Sequence, residues 1–246
     1  RSTLITSKDA KLNVLITRPE KKALQLALSL KQQGIVCVNQ ALFDYQALAN
    51  NNTSKTLLTG IDIVIFVSVA AVGFAHKSLN AKHWQFGQVF AVGKATQQAL
   101  QSLGVNPVTT PSQENSEGLL ALPSLMQDIK GKTITIVRGN GGREYLANTL
   151  NSRGAKVSYL ESYQRIWRVL AKDIGKQWYQ QQINCIVVTS NAILEKLVQL
   201  LITQDEKINV QQLTDYWQKQ CVWVVVSKRI ADKAKQLGLV NIVTSA

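Results

Sequence analysis

The sequence is poor in residues that bind metals or form nucleophile–base pairs, with three cysteines and two histidines among 246 residues. Cys37, Cys185 and Cys221 each stand alone in an apolar run without a C-x-x-C partner, which predicts buried thiols. His76 and His83 do not form part of a Ser/His/Asp set, and we expect both at the surface. No carboxylate cluster with metal-ligand spacing is present. An enzyme of this composition must work by positioning, hydroxyl groups and cations.

Long apolar runs are also missing. The longest, residues 63–75, is shorter than the roughly 18 residues that a membrane-spanning helix needs. The first residues lack the charged, apolar and small-residue pattern of a signal peptide, and those before Lys11 are set aside because they need not be native. We therefore expect a soluble protein of a reducing compartment, the cytoplasm, with no membrane partner.

Acidic residues are few, since 15 Asp and Glu face 28 Lys and Arg and leave a net charge of +13. A field of this sign attracts nucleic acid, anionic membranes and polyanionic small molecules alike. The hydrophobic fraction of 46% is typical of a folded domain rather than a basic tail. No aromatic–basic interleaving, zinc knuckle or recognition helix is visible, which disfavours nucleic acid.

What the sequence does contain is strand–helix alternation. Six short apolar runs are typical of strands buried on both faces: 12–17, 62–68, 89–93, 133–138, 184–190 and 222–227. Helix-period segments follow the first and fourth runs and close on Gly34 and Gly154, where helix C-caps are expected. This alternation predicts an α/β protein with parallel sheets.

The runs recur in the same order in both halves of the chain. Four residues recur at a constant offset of 120, so that Arg18, Leu26, Leu30 and Gly34 match Arg138, Leu146, Leu150 and Gly154. Ser68 then corresponds to Ser190, and Gly93 corresponds to Ser227. The pattern predicts two copies of one structural plan.

Ligands of parallel α/β sheets bind at the carboxyl ends of the strands. The residues after the predicted strands are rich in hydroxyls and cations, and our candidate ligand-binding residues are Arg18, Ser68, Lys94, Arg138, Gly139, Ser190, Asn191, Ser227 and Arg229. Helix starts carry unpaired N–H groups and a positive dipole end, so such positions suit carboxylate or phosphate. Each serine is also explained by an N-cap role, which is compatible with anion binding.

The stretch IVRGNGGREYL, residues 136–146, has the glycines of a phosphate loop but neither a G-x-G-x-x-G pattern nor a Gly-Lys-Ser/Thr ending. It is either a glycine turn with solvated arginines or a turn that faces carboxylates, with Gly142 as a further contact. Residues 138–168 are locally basic, and arginine binds carboxylates through two parallel hydrogen bonds. We favour the carboxylate-facing turn, with Arg138 more certain than Arg143.

Several segments together resemble the uroporphyrinogen-III synthase family. They are VLITRPE, DIVIFVSVAAV, VFAVGKATQQAL, NSEGLL, TIVRGNGGREYLANTLNSRGAKV with ESYQR, and INCIVVTSNAI, in an order that covers residues 12–243. The resemblance implies a lyase that closes hydroxymethylbilane, a linear tetrapyrrole with eight carboxylates, to uroporphyrinogen III with loss of water and inversion of ring D. It implies no cofactor and no metal, because the substrate is reactive and the protein mainly holds its geometry.

The resemblance also implies the architecture: two α/β lobes, each with a parallel sheet flanked by helices, joined by a two-stranded linker. Residues 12–40 and 168–246 would form lobe 1, residues 47–162 lobe 2, and residues 41–46 and 163–167 the linkers. The active site would lie in the cleft between the lobes.

By the same matching, Tyr163 of ESYQR would assist departure of the hydroxyl group, although it could merely pack at the hinge. Thr96 would cap its helix at the cleft. The implied protein is a monomer whose partner is the polycarboxylate substrate, with transient contact with the preceding enzyme of the pathway.

Two other functions stay open from the residues alone. A duplicated α/β chain also describes a two-lobed binding protein for a small anion, a class that is usually exported. A nucleic-acid-binding module would use the same positive charge and would bind unspecific DNA in a salt-dependent way.

Overall fold

The computed structural model of the chain describes residues 11–18, 20–202 and 211–245, apart from the side chains of residues 20–22. Four parts of the chain lie outside the described residues: those before Lys11, residue 19 within the VLITRPE motif, residues 203–210 and residue 246. Residues 203–210 and 246 belong to predicted lobe 1. In the described part of the chain, no helix is long and apolar enough to cross a membrane.

Strands and helices alternate along the chain. The strands are β1 (Asn13–Ile16), β2 (Val36–Asn39), β3 (Phe43–Ala47), β4 (Thr59–Phe66), β5 (Gln85–Ala91), β6 (Thr133–Gly139), β7 (Lys156–Trp167), β8 (Cys185–Val188), β9 (Val222–Val225) and β10 (Ile242–Thr244). The α-helices are α1 (Glu20–Gln32), α2 (Asn51–Leu57), α3 (Val69–Ser78), α4 (Lys94–Ser102), α5 (Ser116–Leu120), α6 (Pro123–Met126), α7 (Tyr145–Ser152), α8 (Ile174–Gln180), α9 (Asn191–Leu201), α10 (Gln211–Asp215) and α11 (Lys228–Gln236). A 3₁₀ turn, Ala81–His83, precedes β5, and a π-helical turn, Tyr216–Gln220, follows α10.

The chain divides into two compact units, the first formed by Arg1–Asp44 with Trp167–Ala246 and the second by Tyr45–Ile166. The chain passes from one unit to the other within β3 and within β7, which are neighbouring strands of one sheet. The expected linker 163–167 therefore lies within β7, and residues 43–46 of the other expected linker lie within β3.

The first unit contains a sheet of strand order β10-β9-β8-β1-β2. β1 pairs in parallel with β2 and β8, and β9 pairs in parallel with β8 and β10. The central strands are almost wholly apolar and their side chains are buried, as expected for parallel strands covered by helices on both faces. Trp178, Trp217 and Trp223 are among the largest fully buried side chains of the described chain.

The second unit contains a sheet of strand order β3-β7-β6-β4-β5. β4 pairs in parallel with β5 and β6, and β6 pairs in parallel with β7. Alternate side chains of β4 face opposite sides of the sheet, so Val64 and Phe66 join one apolar cluster and Ile63 and Ile65 join the other. The sheet is thus covered on both faces.

The two sheets share one strand order. The run β9-β8-β1-β2 in the first unit corresponds to β5-β4-β6-β7 in the second. Under this correspondence β1 matches β6, β8 matches β4 and β9 matches β5, which are the pairs that the repeated order of strand ends predicts. All six predicted strands are present, and the predicted α/β class with parallel sheets flanked by helices is confirmed.

Glycines end four helices, and two of them, Gly34 and Gly154, are the helix ends that the sequence predicts. Gly34 has φ +73°, its N–H donates to the carbonyl of Lys31, and the N–H of Ile35 donates to the carbonyl of Leu30. This pair of bonds is the Schellman motif, which requires a left-handed residue after the helix. The same pair of bonds recurs at Gly104, Gly154 and Gly238.

Two expectations about burial are wrong in part. Cys185 and Cys221 are buried, but Cys37 on β2 near the sheet edge is only half-buried. His83 is exposed, whereas His76 is half-buried and its Nδ1 accepts a hydrogen bond of 3.0 Å from the N–H of Ala81. That bond joins α3 to the 3₁₀ turn, which gives His76 a structural role.

Candidate active site

The side chain of Tyr163 is held on several sides within the second unit. Tyr163 lies on β7 and is 7% exposed. Its ring stacks on Phe74 with centroids 5.5 Å apart, and the edge of Tyr45 meets it at 5.1 Å. The N–H of Asn140 donates to the backbone carbonyl of Tyr163 at 2.8 Å, so the backbone is fixed as well.

Gly139, the last residue of β6, leaves the space that the Tyr163 ring occupies. The two residues are register partners of adjacent strands, at a point where the register shifts. A Cβ at position 139 would lie 2.7 Å from Cζ of Tyr163 and 3.0 Å from its hydroxyl oxygen. Only glycine permits this approach, because real Cβ atoms do not come so close to a ring.

The Tyr163 hydroxyl contacts one of the predicted strand-end serines. Oγ of Ser68 lies 3.2 Å from the Tyr163 hydroxyl oxygen, and either group can donate. Ser68 is the N-cap of α3, and its Oγ also accepts a hydrogen bond of 3.0 Å from the N–H of Ala71. The N-cap role and the contact with the candidate catalytic group therefore coexist.

The guanidinium of Arg138 is buried against groups of the protein itself. It is 7% exposed, lies over the ring of Tyr159 at 4.0 Å, and donates to Oε1 of Glu144 at 3.2 Å. A second nitrogen donates to the carbonyl of Arg143 at 3.3 Å. Arg138 therefore binds the end of the turn from Gly139 to Glu144. Its Nε is buried with no partner in the described part of the chain.

Glu144 and Tyr159 complete this cluster and shift each other's pKa. The Tyr159 hydroxyl donates to Oε2 of Glu144 at 2.6 Å. That hydrogen bond, assisted by the charge of Arg138, holds the pKa of Glu144 below its ordinary value. Burial, followed by the hydrogen bond to Glu144, raises the pKa of Tyr159 to about 12. The carboxylate and the neutral phenol are thus the stable forms at neutral pH.

The other arginines of the basic region contact groups of the protein itself. Arg143 donates to Glu117 at 2.7 Å and lies over Tyr145, while Arg153 donates to the carbonyls of Leu120 and Leu125. Arg168 pairs with Asp44 at 2.7 Å, and this hydrogen bond lowers the pKa of Asp44. These four arginines, Arg138 included, each have a partner within the protein.

The turn itself has an open backbone. Gly141 and Gly142 have φ values of +78° and +117°, and a Cβ at either position would meet no atom within 4 Å. These residues are exposed. The glycine turn therefore presents main-chain groups to solvent.

The start of α4 corrects the expectation for Thr96. The N-cap of α4 is Gly93, which makes no side-chain cap, and Thr96 is the third residue of the helix and 3% exposed. Instead, Oε1 of Glu114 accepts a hydrogen bond of 3.0 Å from the N–H of Lys94.

In the first unit, the predicted serines cap helices. Oγ of Ser190 accepts from the N–H of Ile193 at 3.2 Å, and Oγ of Ser227 accepts from the N–H of Ile230 at 3.3 Å. Each follows a strand and starts the next helix, as Ser68 does.

The remaining predicted residues of the first unit differ in exposure. Arg18 is half-buried after β1 and Arg229 is exposed in the first turn of α11. Asn191 begins α9, and its Oδ1 is buried with no partner among the described residues. These three residues have in common that each follows the carboxyl end of a strand.

The second unit thus brings together Ser68, Gly139 and Tyr163 from three segments of the sequence. Phe74, Tyr45, Glu144 and Tyr159 also belong to this region, and we did not predict them. Glu144 had a detectable signal, an acidic residue next to a basic turn, whereas the aromatic contacts depend on packing. Among the described residues, no group of three or more His, Cys, Asp or Glu could hold a metal ion.

The fold and the site define an α/β protein of two duplicated units. Its candidate chemical groups are the hydroxyl of Tyr163, whose ring is held by its neighbours, and the serine hydroxyls that cap helix starts. A sequence model of the family described as uroporphyrinogen-III synthase HemD matches residues 24–246. The chain belongs to the uroporphyrinogen-III synthase family.

Individual relatives agree with this assignment. The chain is 35% identical to a uroporphyrinogen-III synthase of Salmonella typhimurium over 235 residues, 92% of each chain. It is 32% identical to the synthase of Escherichia coli K12, again over 92% of each chain.

Solved structures support the fold. A mutant uroporphyrinogen III synthase of the extremely thermophilic bacterium Thermus thermophilus superposes with a TM-score of 0.65 at 15% identity, covering 96% of this chain and 93% of that one. The enzyme of Helicobacter pylori 26695 superposes with a TM-score of 0.56 at 12% identity, covering 95% and 92%.

Proposed function

We propose that the chain is a lyase that closes hydroxymethylbilane to uroporphyrinogen III, with loss of water and inversion of ring D. The observation that carries the proposal is the family match over residues 24–246, together with relatives of the same name that align over 92% of both chains. The alternative, an anion-binding protein without catalysis, has no support among these relatives.

The decisive experiment supplies freshly made hydroxymethylbilane to the protein and separates the I and III isomers of the product. The substrate cyclises unaided to isomer I, so isomer III is the signature of the enzyme. We expect isomer III to predominate. Isomer I alone, at the rate of the protein-free control, would contradict the proposal.

Within this reaction we assign to Tyr163 the donation of a hydrogen bond or proton to the departing hydroxyl. The packing around its ring supports this role, because a phenol held by Phe74, Tyr45 and Gly139 has a defined direction in which to donate. A side chain that only filled space would not need a polar partner, whereas the Tyr163 hydroxyl faces Ser68.

Tyr163→Phe tests this role, because it removes the hydroxyl and keeps the ring contacts. We expect kcat for isomer III to fall about a hundredfold, within the usual range for a positioned acid. Tyr179→Phe is the matched control, since Tyr179 lies on α8 and is 48% exposed. Equal rates for wild type and Tyr163→Phe would show that Tyr163 only packs.

For binding of the substrate's carboxylates we propose the strand-end residues of both units. In the second unit these are Lys94, Thr96, Gly139 and Gly142, together with the N-terminus of α3, which Ser68 caps, while Arg138 binds the glycine turn through Arg143 and Glu144. In the first unit they are Arg18, Ser190, Asn191, Ser227 and Arg229. Helix N-termini and open main chain suit carboxylates, and the net charge of +13 attracts a polyanion.

The finer organisation belongs to the same proposal. The lobes would be 12–40 with 168–246 and 47–162, and the linkers 41–46 and 163–167. The division of contacts after Asp44 and after Ile166 supports these limits.

We also propose a cytoplasmic monomer. The free thiols of Cys37, Cys185 and Cys221 favour a reducing compartment. Since hydroxymethylbilane cyclises unaided, transient contact with the enzyme that produces it would limit loss to isomer I.

A further inference from the structure

A line of hydrogen bonds runs from the start of α3 to the phenol of Tyr163. The N–H of Ala71, in the first turn of α3, donates to Oγ of Ser68 at 3.0 Å. Oγ of Ser68 lies 3.2 Å from the hydroxyl oxygen of Tyr163. All three groups belong to the second unit, and the line ends at the candidate catalytic group.

The direction of the second bond follows from the number of protons. A serine hydroxyl has one proton and two lone pairs, and one lone pair of Ser68 already accepts from Ala71. If Tyr163 gives its proton to the substrate, it cannot also give it to Ser68. Ser68 must then donate to Tyr163.

The start of a helix strengthens this arrangement. The first turn of α3 carries the positive end of the helix dipole, which polarises the hydroxyl of its N-cap. Each bond in such a line polarises the next, so the phenol oxygen is better able to bear the negative charge that develops when its proton departs.

The other contacts of Tyr163 fix its ring and backbone, so that only the hydroxyl proton can still rotate. Phe74, Tyr45 and Gly139 hold the ring, and the N–H of Asn140 holds the backbone. Ser68 is the hydrogen-bonding neighbour of the phenol oxygen that the structure describes. The Ser68 hydroxyl therefore determines the direction in which the phenol proton of Tyr163 points.

We propose that Ser68 is a positioning residue that donates to Tyr163 and directs the phenol proton toward the departing hydroxyl. The inference rests on the acid role of Tyr163 proposed above. In the step, the phenol proton passes to the hydroxymethyl oxygen, and the C–O bond breaks with its electron pair on that oxygen. Water leaves, an azafulvenium ion remains, and its N–H proton restores the phenol.

A double-mutant cycle tests the inference with the full chain and hydroxymethylbilane. Ser68→Ala should lower kcat for isomer III about tenfold, the worth of roughly one hydrogen bond, with KM almost unchanged. In the Tyr163→Phe background the same substitution should change kcat less than twofold, because Ser68 acts through the phenol. Ser68→Thr should restore most of the activity, because it keeps a hydroxyl.

Loss of the helix cap needs its own control. Asn50 caps α2 in the same unit, accepting from the N–H of Thr53 at 2.9 Å, and Asn50→Ala should lower the melting temperature without changing kcat. If Ser68→Ala fails to fold, Ser68→Asp serves, since aspartate caps well but has no proton to donate. We expect a lowered kcat for it too.

The outcomes separate the two claims. Equal losses from Ser68→Ala in both backgrounds would show a direct contact with substrate and overturn the inference. Wild-type kcat in Ser68→Ala or Ser68→Asp, with a slow Tyr163→Phe, would overturn it and leave the acid role standing. A Tyr163→Phe variant as fast as wild type would remove both.

Discussion

At the scale of single residues, Arg138 illustrates how burial changes the role of a charge. Its guanidinium lies over the ring of Tyr159 and pairs with the carboxylate of Glu144. A buried cation requires a partner, since removal of its counter-charge leaves a costly unpaired group. The spacing of the arginines in the sequence carries no information on which of them is buried, so it could not predict these partners of Arg138.

The first prediction concerns the pH dependence of this cluster. The pKa of Glu144 is lowered in the folded state, so its contribution to stability is complete above the unfolded pKa and disappears as pH falls through the folded value. Glu144→Gln should therefore lower the urea midpoint at about pH 7, and this difference should shrink near pH 3. Urea unfolding of both proteins at the two pH values is the measurement.

The companion variant is Tyr159→Phe, which removes the largest cause of the lowered pKa of Glu144. The pKa of Glu144, followed by NMR titration, should rise toward its ordinary value. At high pH, the wild type should lose stability as pH rises from about 10 toward the raised pKa of Tyr159, about 12. A Glu144→Gln effect of equal size at both acidic and neutral pH would contradict this account.

The second prediction concerns the seat of Tyr163. In Gly139→Ala the new Cβ would lie 2.7 Å from the phenol ring, so the ring must move. We expect kcat for isomer III to fall about tenfold or more, because displacements on the order of 1 Å are costly in a positioned site. Steady-state kinetics with isomer separation is the measurement.

Gly73→Ala provides the matched control for that substitution. Gly73 lies inside α3 with no atom within 4 Å of a new Cβ, so alanine should stabilise the helix by roughly 0.5–1 kcal/mol and leave kcat unchanged. Wild-type kinetics in Gly139→Ala would mean that the ring position is not critical.

At the scale of elements, helix ends are the features that recur most faithfully between the two units. The helices α1, α4, α7 and α11 all end in the same pair of backbone bonds around a left-handed glycine. These motifs depend on neighbouring residues only, so they are legible in the sequence. Strands β2 and β10, in contrast, are short and their composition did not distinguish them from loops.

The third prediction tests one such helix end. Gly34 has φ +73° and open space around a new Cβ, so Gly34→Ala should cost only conformational strain, about 1 kcal/mol. Gly34→Asn should cost less, because asparagine tolerates the left-handed region better. Free energies of unfolding from urea titrations compare the two. Equal costs would indicate that a steric contact, not the backbone conformation, is limiting.

At the scale of the whole molecule, the net charge of +13 is the property most relevant to a polyanionic substrate. Several arginines pair internally, yet the excess of cations persists because the charge is a sum over the chain. Its effect is therefore expected at long range, on the rate of encounter, rather than in one contact.

The fourth prediction follows from this field. Raising the salt concentration from about 20 to 300 mM shortens the Debye length several-fold, so kcat/KM should fall while kcat changes little. Stopped assays of isomer III at each salt concentration measure both constants. An uncharged solute of matched viscosity is the control. A salt-independent kcat/KM would mean that the substrate is held by local contacts alone.

The sequence by itself determined the features that arise from short-range patterns. Continuous apolar runs marked six of the ten strands that the structure describes, glycines marked helix ends, and the repeated order of strand ends predicted two copies of one plan. Tertiary structure decided which polar groups meet. Ser68, Gly139 and Tyr163 come together because β4, β6 and β7 pair side by side, and Arg138 pairs inward because the chain folds back over it. These contacts depend on the packing of strands distant in sequence, for which local periodicity has no signal.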